Sequence, residues 1–131
     1  MSPTKWDLSA DIAFLYDPRF SLSSENADRV LELEATLRRW RNEGCGILGV
    51  IPSALVYEKS ARAGRDYIGP LLKLLEALGS QHRFVLLPNA TRAGTDAVFN
   101  NDLYVIHQLV EAVRRDYPQL EERVAYVDYD I

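Results

Sequence analysis

Two polar stretches hold the residues whose types suit chemistry. The first is Pro52-Ser53 with Tyr57, Lys59 and Arg62 behind it, and it directly follows an apolar run. The second spans residues 88–101, where Asn89, Thr91 and Arg92 follow Pro88 and Asn100-Asn101 leads into Asp102. Hydroxyl, amide and cationic side chains together suit a small anionic or sugar-bearing ligand, held by a few placed polar contacts. Asn101 or Asp102 would cap the helix that follows, whose first N–H groups point toward the same crevice. A loop of that length without structure of its own is uncommon in a compact domain, and is as a rule either functional or disordered. Two readings therefore stand side by side: a polar lip that contacts a ligand, or a helix cap preceded by a mobile connection.

No familiar nucleophile is spelled out. The chain shows no Ser-His-Asp order, no Cys-His pair and no convincing carboxylate dyad. Asp128 and Asp130 near the last strand are placed to reach a crevice, yet two acids there are as easily solvated. His82 and His107 have no second ligand at metal spacing, so no metal site is expected. Gly44-Cys45-Gly46-Ile47-Leu48-Gly49 matches the dinucleotide pattern GxGxxG by letter. That fingerprint must follow a strand and open a helix, whereas this one follows a helix and opens a strand. Gly44 and Gly46 read instead as a helix end and a turn, and Gly49 as a tight packing point. Asn89-Ala90-Thr91 is a glycosylation sequon in spelling, without a secretory signal to make it used. A phosphoacceptor receiver domain is excluded too: Asp17 stands alone, Pro88-Asn89 replaces its central Asp, and no Lys follows Lys73.

The elements that must position these residues are four apolar runs alternating with three amphipathic ones. The runs are residues 10–16, 47–51, 84–87 and 124–129. A helix is predicted from about Glu25 to Asn42, with Val30, Leu33, Leu37 and Trp40 on one face, Ser23 or Ser24 as cap and Gly44 as stop. After a loop through Gly64, a second helix carries Ile68, Leu71, Leu72, Leu75 and Leu78, with Asp66 as cap and Gly79 as its end. Pro70 is tolerable in its first turn, where N–H groups have no intrahelical partner. The third helix runs from about Asp102 to Asp116, where Tyr117-Pro118 stops it. Strands apolar throughout suit a parallel sheet covered on both faces, and strand–helix alternation makes right-handed crossovers the natural connection. The expectation is an α/β fold: a three-layer Rossmann-like parallel sheet in the order β-α-β-α-β-α-β. Residues 1–22 would be a strand and linker and 23–131 the α/β unit, effectively one domain. The final apolar run has no closing helix, which suggests truncation or a partner that supplies the missing layer, with a homodimer as the expected form.

Composition narrows the functions. The 131 residues carry a formal net charge of −4 and are 47% hydrophobic, so no global attraction to nucleic acid or an anionic membrane is expected. Arg38-Arg39-Trp40-Arg41 reads as the solvated end of a helix. Cys45 is the only cysteine, which leaves no internal disulfide. No basic region followed by an apolar core opens the chain, and no apolar run approaches a membrane span of about 20 residues. A cytoplasmic location is expected.

Taken in order, several phrases resemble the polysaccharide pyruvyl transferase family. They are ADIAFLYDP, GILGVIPSALVYE, YIGPLLKLLEAL, RFVLLPNAT, NNDLYVIHQLVEAVRR and VAYVDYD. They follow the family's succession of a strand bearing Asp-Pro, a strand ending in a Pro-Ser-like turn, a helix, a strand ending in Leu-Pro with a polar loop, and a helix begun by Asn/Asp-Asp. The resemblance covers the family's interdomain join and the first half of its C-terminal domain. It implies a glycosyltransferase-B-like pair of Rossmann-like domains in a polysaccharide-biosynthesis enzyme. Such an enzyme moves pyruvate from phosphoenolpyruvate to a sugar hydroxyl and has no other cofactor. By resemblance Pro52, Ser53, Asn89, Asn101 and Asp102 match crevice positions. The family's catalytic Arg-x-His motif occurs nowhere in this chain, so the resemblance assigns no catalytic residue and implies an inactive unit unless another chain completes the site. The alternative is a stand-alone α/β module that binds a sugar phosphate or associates with itself, without catalysis.

Overall fold

The structure is a computed structural model that describes residues 23–91 and 100–129. The expected strand at 10–16, the linker of 1–22, Arg92 and Asp130 lie outside these residues. The described chain runs α1 (Ser24–Asn42), β1 (Gly46–Val50), α2 (Ala54–Arg62), α3 (Ile68–Leu78), β2 (His82–Leu86), α4 (Asp102–Asp116), a 3₁₀ helix (Pro118–Arg123) and β3 (Val124–Tyr126). Its three strands are parallel in the order β1-β2-β3, with Leu48 beside Phe84 and Leu86 beside Tyr126. This is the expected α/β architecture, with helices on both faces.

Alternation along the strands assigns the faces. Phe84 and Leu86 enter a core with Leu72 and Leu75 of α3 and Ile106, Leu109 and Val113 of α4, and Val50, Val124 and Tyr126 pack at its margin. The intervening positions, Ile47, Arg83 and Ala125, look toward α1. Only Trp40 of α1 is fully buried. Among the described residues, one helix thus lies on a face whose opposite is covered by two.

Caps set most helix ends. Ser23 Oγ accepts the Asn26 N–H at 3.2 Å, and Gly44 at φ 77° terminates α1, a backbone region open to glycine at little cost. Pro70 falls in the first turn of α3 as expected, but Tyr67 rather than Asp66 holds the cap position; Asp66, one residue earlier, accepts the Gly69 N–H at 3.1 Å. Gly79 ends α3 for a different reason. A Cβ there would lie 2.6 Å from Leu120 Cδ2 and 3.0 Å from the Leu75 carbonyl oxygen.

The structure corrects three further expectations. The stretch after Pro52 is helix α2 rather than loop, because Ser53 Oγ accepts the Val56 N–H at 3.3 Å and supplies the missing cap. A 3₁₀ helix, Pro118–Arg123, takes up the chain after the Pro stop, and its Leu120 is buried in the core. Gly49 is not a tight packing point: a Cβ there would meet only Leu87 Cδ1, at an ordinary 3.8 Å.

The two glycines should respond oppositely to the same change. Gly79→Ala should destabilise the chain by about 1–3 kcal/mol, since backbone cannot yield to the added methyl. Gly49→Ala should be neutral or stabilising by up to about 1 kcal/mol, because alanine loses less backbone freedom on folding. Urea unfolding of both variants checks this, and an equal loss from both would contradict it.

Candidate functional site

The carboxyl ends of the strands gather the polar residues, as open α/β sheets require. At the ends of β1 and β2 the organiser is Asp102, only 5% exposed. Its Oδ1 accepts the Ala54 N–H at 2.8 Å. Its Oδ2 accepts the N–H groups of Asn89 and Ala90 at 2.9 and 2.8 Å. The Asp102 N–H in turn donates to the Ala90 carbonyl at 2.8 Å. One carboxylate thereby joins the start of α2, the loop after β2 and the start of α4.

Asp102 and Asn101 were both candidates to cap α4, and neither side chain does so. Asn101 occupies the cap position without a side-chain cap bond, while the Asp102 carboxylate turns away to the two loops. Three N–H groups outcompete one, since each buried donor left unmatched costs about 1–3 kcal/mol.

Around this clamp the predicted residues converge. Pro52 is fully buried and packs. The Ser53 N–H donates to the Tyr67 hydroxyl at 3.1 Å, and its own hydroxyl caps α2. Tyr57 meets Tyr67 and Tyr104 edge-on, with ring centroids 6.4 and 5.8 Å apart. Burial and a hydrogen bond with the Tyr104 hydroxyl push the Tyr57 phenol above its ordinary range. Asn89 is exposed, Thr91 half-buried, and Lys59 of α2 exposed with Arg62. Pro52, Ser53, Tyr57, Asn89, Asn101 and Asp102 thus lie together, but the bonds among them are those of a scaffold. The Asp102 carboxylate is spent on backbone and is not free for proton transfer.

A second cluster stands at the end of β3 around Asp128, which in the sequence reads either as reaching a crevice or as solvated. Asp128 Oδ1 receives Arg29 Nη2 of α1 at 2.9 Å, and its Oδ2 lies 3.4 Å from His107 Nε2 of α4. The Arg29 guanidinium stacks 4.7 Å from the Tyr129 ring centre. Tyr129 is 9% exposed, and its buried hydroxyl has no hydrogen-bond partner among the described residues. Burial raises the Tyr129 ionisation above the ordinary range, and Asp128 adds to this while Arg29 opposes it. Beside the cluster an open cleft of about 270 Å³ lies between α1 and β3, lined among others by Arg29, Glu32, Thr36, Tyr126, Asp128 and Tyr129. Among the described residues no group of His, Cys, Asp or Glu is arranged to hold a metal ion, and no helix is long and apolar enough to cross a membrane.

No family model, curated protein or solved structure matches this chain.

Sequence reasoning passed over His107 because it had no ligand at metal spacing, and Asp128 because it stood among solvated acids. The only available signal was topological. An acid just past a strand end and a polar residue on the preceding crossover helix come together when the crossover is right-handed.

Asp102→Asn should destabilise the chain by about 2–4 kcal/mol, because the amide turns an N–H toward buried backbone donors. Urea unfolding at neutral pH reads this, and a change near zero would mean the clamp carries no load. Tyr57 and Tyr129 both ionise later in the folded chain than in the unfolded one. The stability they contribute is therefore fully present below about pH 10 and is lost as pH rises through their folded-state values. Absorbance titration of the phenolates should show a late fraction that shrinks in Tyr57→Phe and again in Tyr129→Phe.

Proposed function

We propose that this chain is the sugar-holding α/β unit of a group-transfer enzyme of the polysaccharide pyruvyl transferase type, and that the sugar sits in the cleft between α1 and β3. What supports this reading above all is the chemistry of that cleft. Glu32 and Asp128 offer carboxylates, Thr36 a hydroxyl, and Tyr126 and Tyr129 aromatic rings, while the single guanidinium, Arg29, is already paired. Such a surface accepts and donates hydrogen bonds to hydroxyl groups without an excess of positive charge. Phosphoenolpyruvate, an anion at both its phosphate and its carboxylate, calls for the opposite balance. The cleft's volume suits about one sugar ring, at the lower end of ligand pockets.

The His107–Asp128 pair stands beside this cleft. A histidine with its ring nitrogen on a carboxylate is oriented as a general base needs to be. Phosphoenolpyruvate would bind through groups that the chain does not itself supply, since Arg-x-His is absent from it. The function therefore divides: this unit presents the acceptor hydroxyl, and another segment or chain supplies the donor.

Saturation-transfer NMR with a panel of hexoses, uronic acids and amino sugars tests the reading. At least one sugar should bind in the millimolar range, with contact at its ring protons. Asp128→Asn and Tyr126→Ala should abolish the signal while the circular dichroism stays unchanged, and phosphoenolpyruvate should not compete. Silence across the panel would sink the proposal, as would phosphoenolpyruvate binding that the same two variants remove.

A further inference from the structure

β1 is an edge of the described sheet, and Gly46, Ile47, Leu48 and Gly49 are all exposed. Natural sheet edges are guarded by charge, proline or a bulge. The stretch from Gly46 to Ile51 has no charged residue and no proline, and Ile47, Leu48 and Ile51 are 36%, 37% and 58% exposed. Gly49 adds a second observation. Among the described residues its place over the α1 side of the sheet holds only the Leu87 methyl at 3.8 Å, so their packing does not explain a residue that weakens a strand. Glycine inside a strand often marks the close approach of another backbone.

We propose that β1 pairs antiparallel with β1 of a second copy, across a twofold axis at Leu48, so that two three-stranded sheets become one continuous sheet. The strand Gly46-Ile47-Leu48-Gly49-Val50 is self-complementary in size about its centre. In this register Ile47 faces Gly49 of the other copy, Val50 faces Gly46, and Leu48 faces Leu48. A shift by two residues one way sets Ile47 on Ile47 and leaves Gly49 opposite Cys45. The same shift the other way sets Gly49 on Gly49 and brings Gly46 against Pro52, which has no N–H.

Backbone polarity agrees. The Val50 carbonyl accepts the N–H of Leu87, just past β2, at 2.9 Å, so the polar groups of Val50, Leu48 and Gly46 turn inward and those of Ile47, Gly49 and Ile51 turn to the β1 edge. Ile47 and Gly49 then exchange both hydrogen bonds with their opposites, and Leu48 becomes a non-hydrogen-bonded pair with Cα atoms about 4.5 Å apart. Ile51 of the other copy comes opposite Cys45, beside a groove of about 300 Å³ lined by Glu34, Leu37, Arg38, Arg41 and Ile47. The twofold axis runs the two α1 helices antiparallel. Glu34 of one then looks toward the Arg38–Arg41 end of the other, so the rim is complementary in charge as well. α1 lies on the face opposite α3 and α4, so a right-handed crossover through α1 into β1 would begin on the β3 side and leave the β1 edge free. A short ladder with two helical rims lies at or below the standard burial of roughly 800 Å² per partner, which sets the dissociation constant in the micromolar range, about 1–50 µM.

The test uses the full chain in a Cys45→Ser background. Sedimentation velocity across about 1–200 µM, bracketing that constant, should show a reversible monomer–dimer equilibrium, and Leu48→Lys, which sets two like charges opposite each other, should abolish it with unchanged circular dichroism. Single cysteines at 47, 48 and 49 fix the register under mild oxidation. Leu48→Cys should form a disulfide-linked dimer at least tenfold faster than Ile47→Cys or Gly49→Cys, because only its opposite is itself, at a distance that a disulfide spans. A monomer at every concentration with no cross-link would overturn the dimer. Faster cross-linking at 47 or 49 would overturn the register, and a dimer indifferent to Leu48→Lys would place the interface elsewhere.

Discussion

The Asp102 carboxylate is the interaction on which this end of the molecule depends. It gathers three backbone N–H groups from two separate connections, one of them buried at Ala54 and two part-buried at Asn89 and Ala90. Its charge is favoured by position. It lies at the first residue of α4 and against the first residue of α2, where the unsatisfied N–H groups of both helices concentrate positive potential. A neutral side chain of the same size would gain less from either helix. The clamp also explains how a compact domain carries a long polar connection after β2. Both ends of that connection are tied to Asp102, at Asn89 and Ala90 on one side and through α4 on the other, so its length costs little order in the sheet.

Committing Asp102 to structure moves the chemistry along the sheet. Of the two polar clusters at the carboxyl edge, the one around Asp102 is saturated by backbone and the tyrosines seal its outer side. The one at the end of β3 keeps its charges on side chains. Arg29, Asp128 and His107 come from α1, from the residues after β3 and from α4, so the cluster bridges both faces of the sheet across its edge. Asp128 is therefore shared between two side chains, with one carboxylate oxygen on the Arg29 guanidinium and the other beside the His107 ring.

Much of the architecture was legible in the residues. Runs without alternation, such as Phe-Val-Leu-Leu, belong to a strand buried on both sides, and 84–86 are indeed buried. α4 spans Asp102 to Asp116 as the residues predicted; its end follows the local Tyr-Pro stop, whereas its start carries no side-chain cap and Asp102 serves distant backbone instead. α2 was not legible. Its Leu55 and Val56 face solvent, so it lacks an inward apolar stripe, and it is held by the Ser53 cap and the Asp102 bond, the latter made by a residue 48 positions away. The same holds for His107 and Asp128, separated by 21 positions. Local pattern reports what a segment prefers, and these features arise from which segments the crossovers bring together. The clustering of Ser53, Tyr57, Asn89 and Asp102 was foreseen from strand-end logic, whereas their scaffolding role depended on distances.

The two edges of the described three-stranded sheet differ in chemistry, and that difference follows from the chain's own order. β3 lies at the end where α1 begins, so charged residues of the first turns of α1 reach it. β1 lies beside the end of α1, where Arg38 and Arg41 extend past Ile47 without covering it. Among the described residues α1 alone lies over this face, and it leaves the position above Gly49 uncovered. On the other face two helices leave no such gap. The polar edge is thus suited to a soluble ligand, and the apolar edge to another strand. An edge that is neither charged nor interrupted is a template for a further strand, and the two glycines of β1, set apart among large residues, are what lets the proposed pairing with a second copy match large residues to small ones.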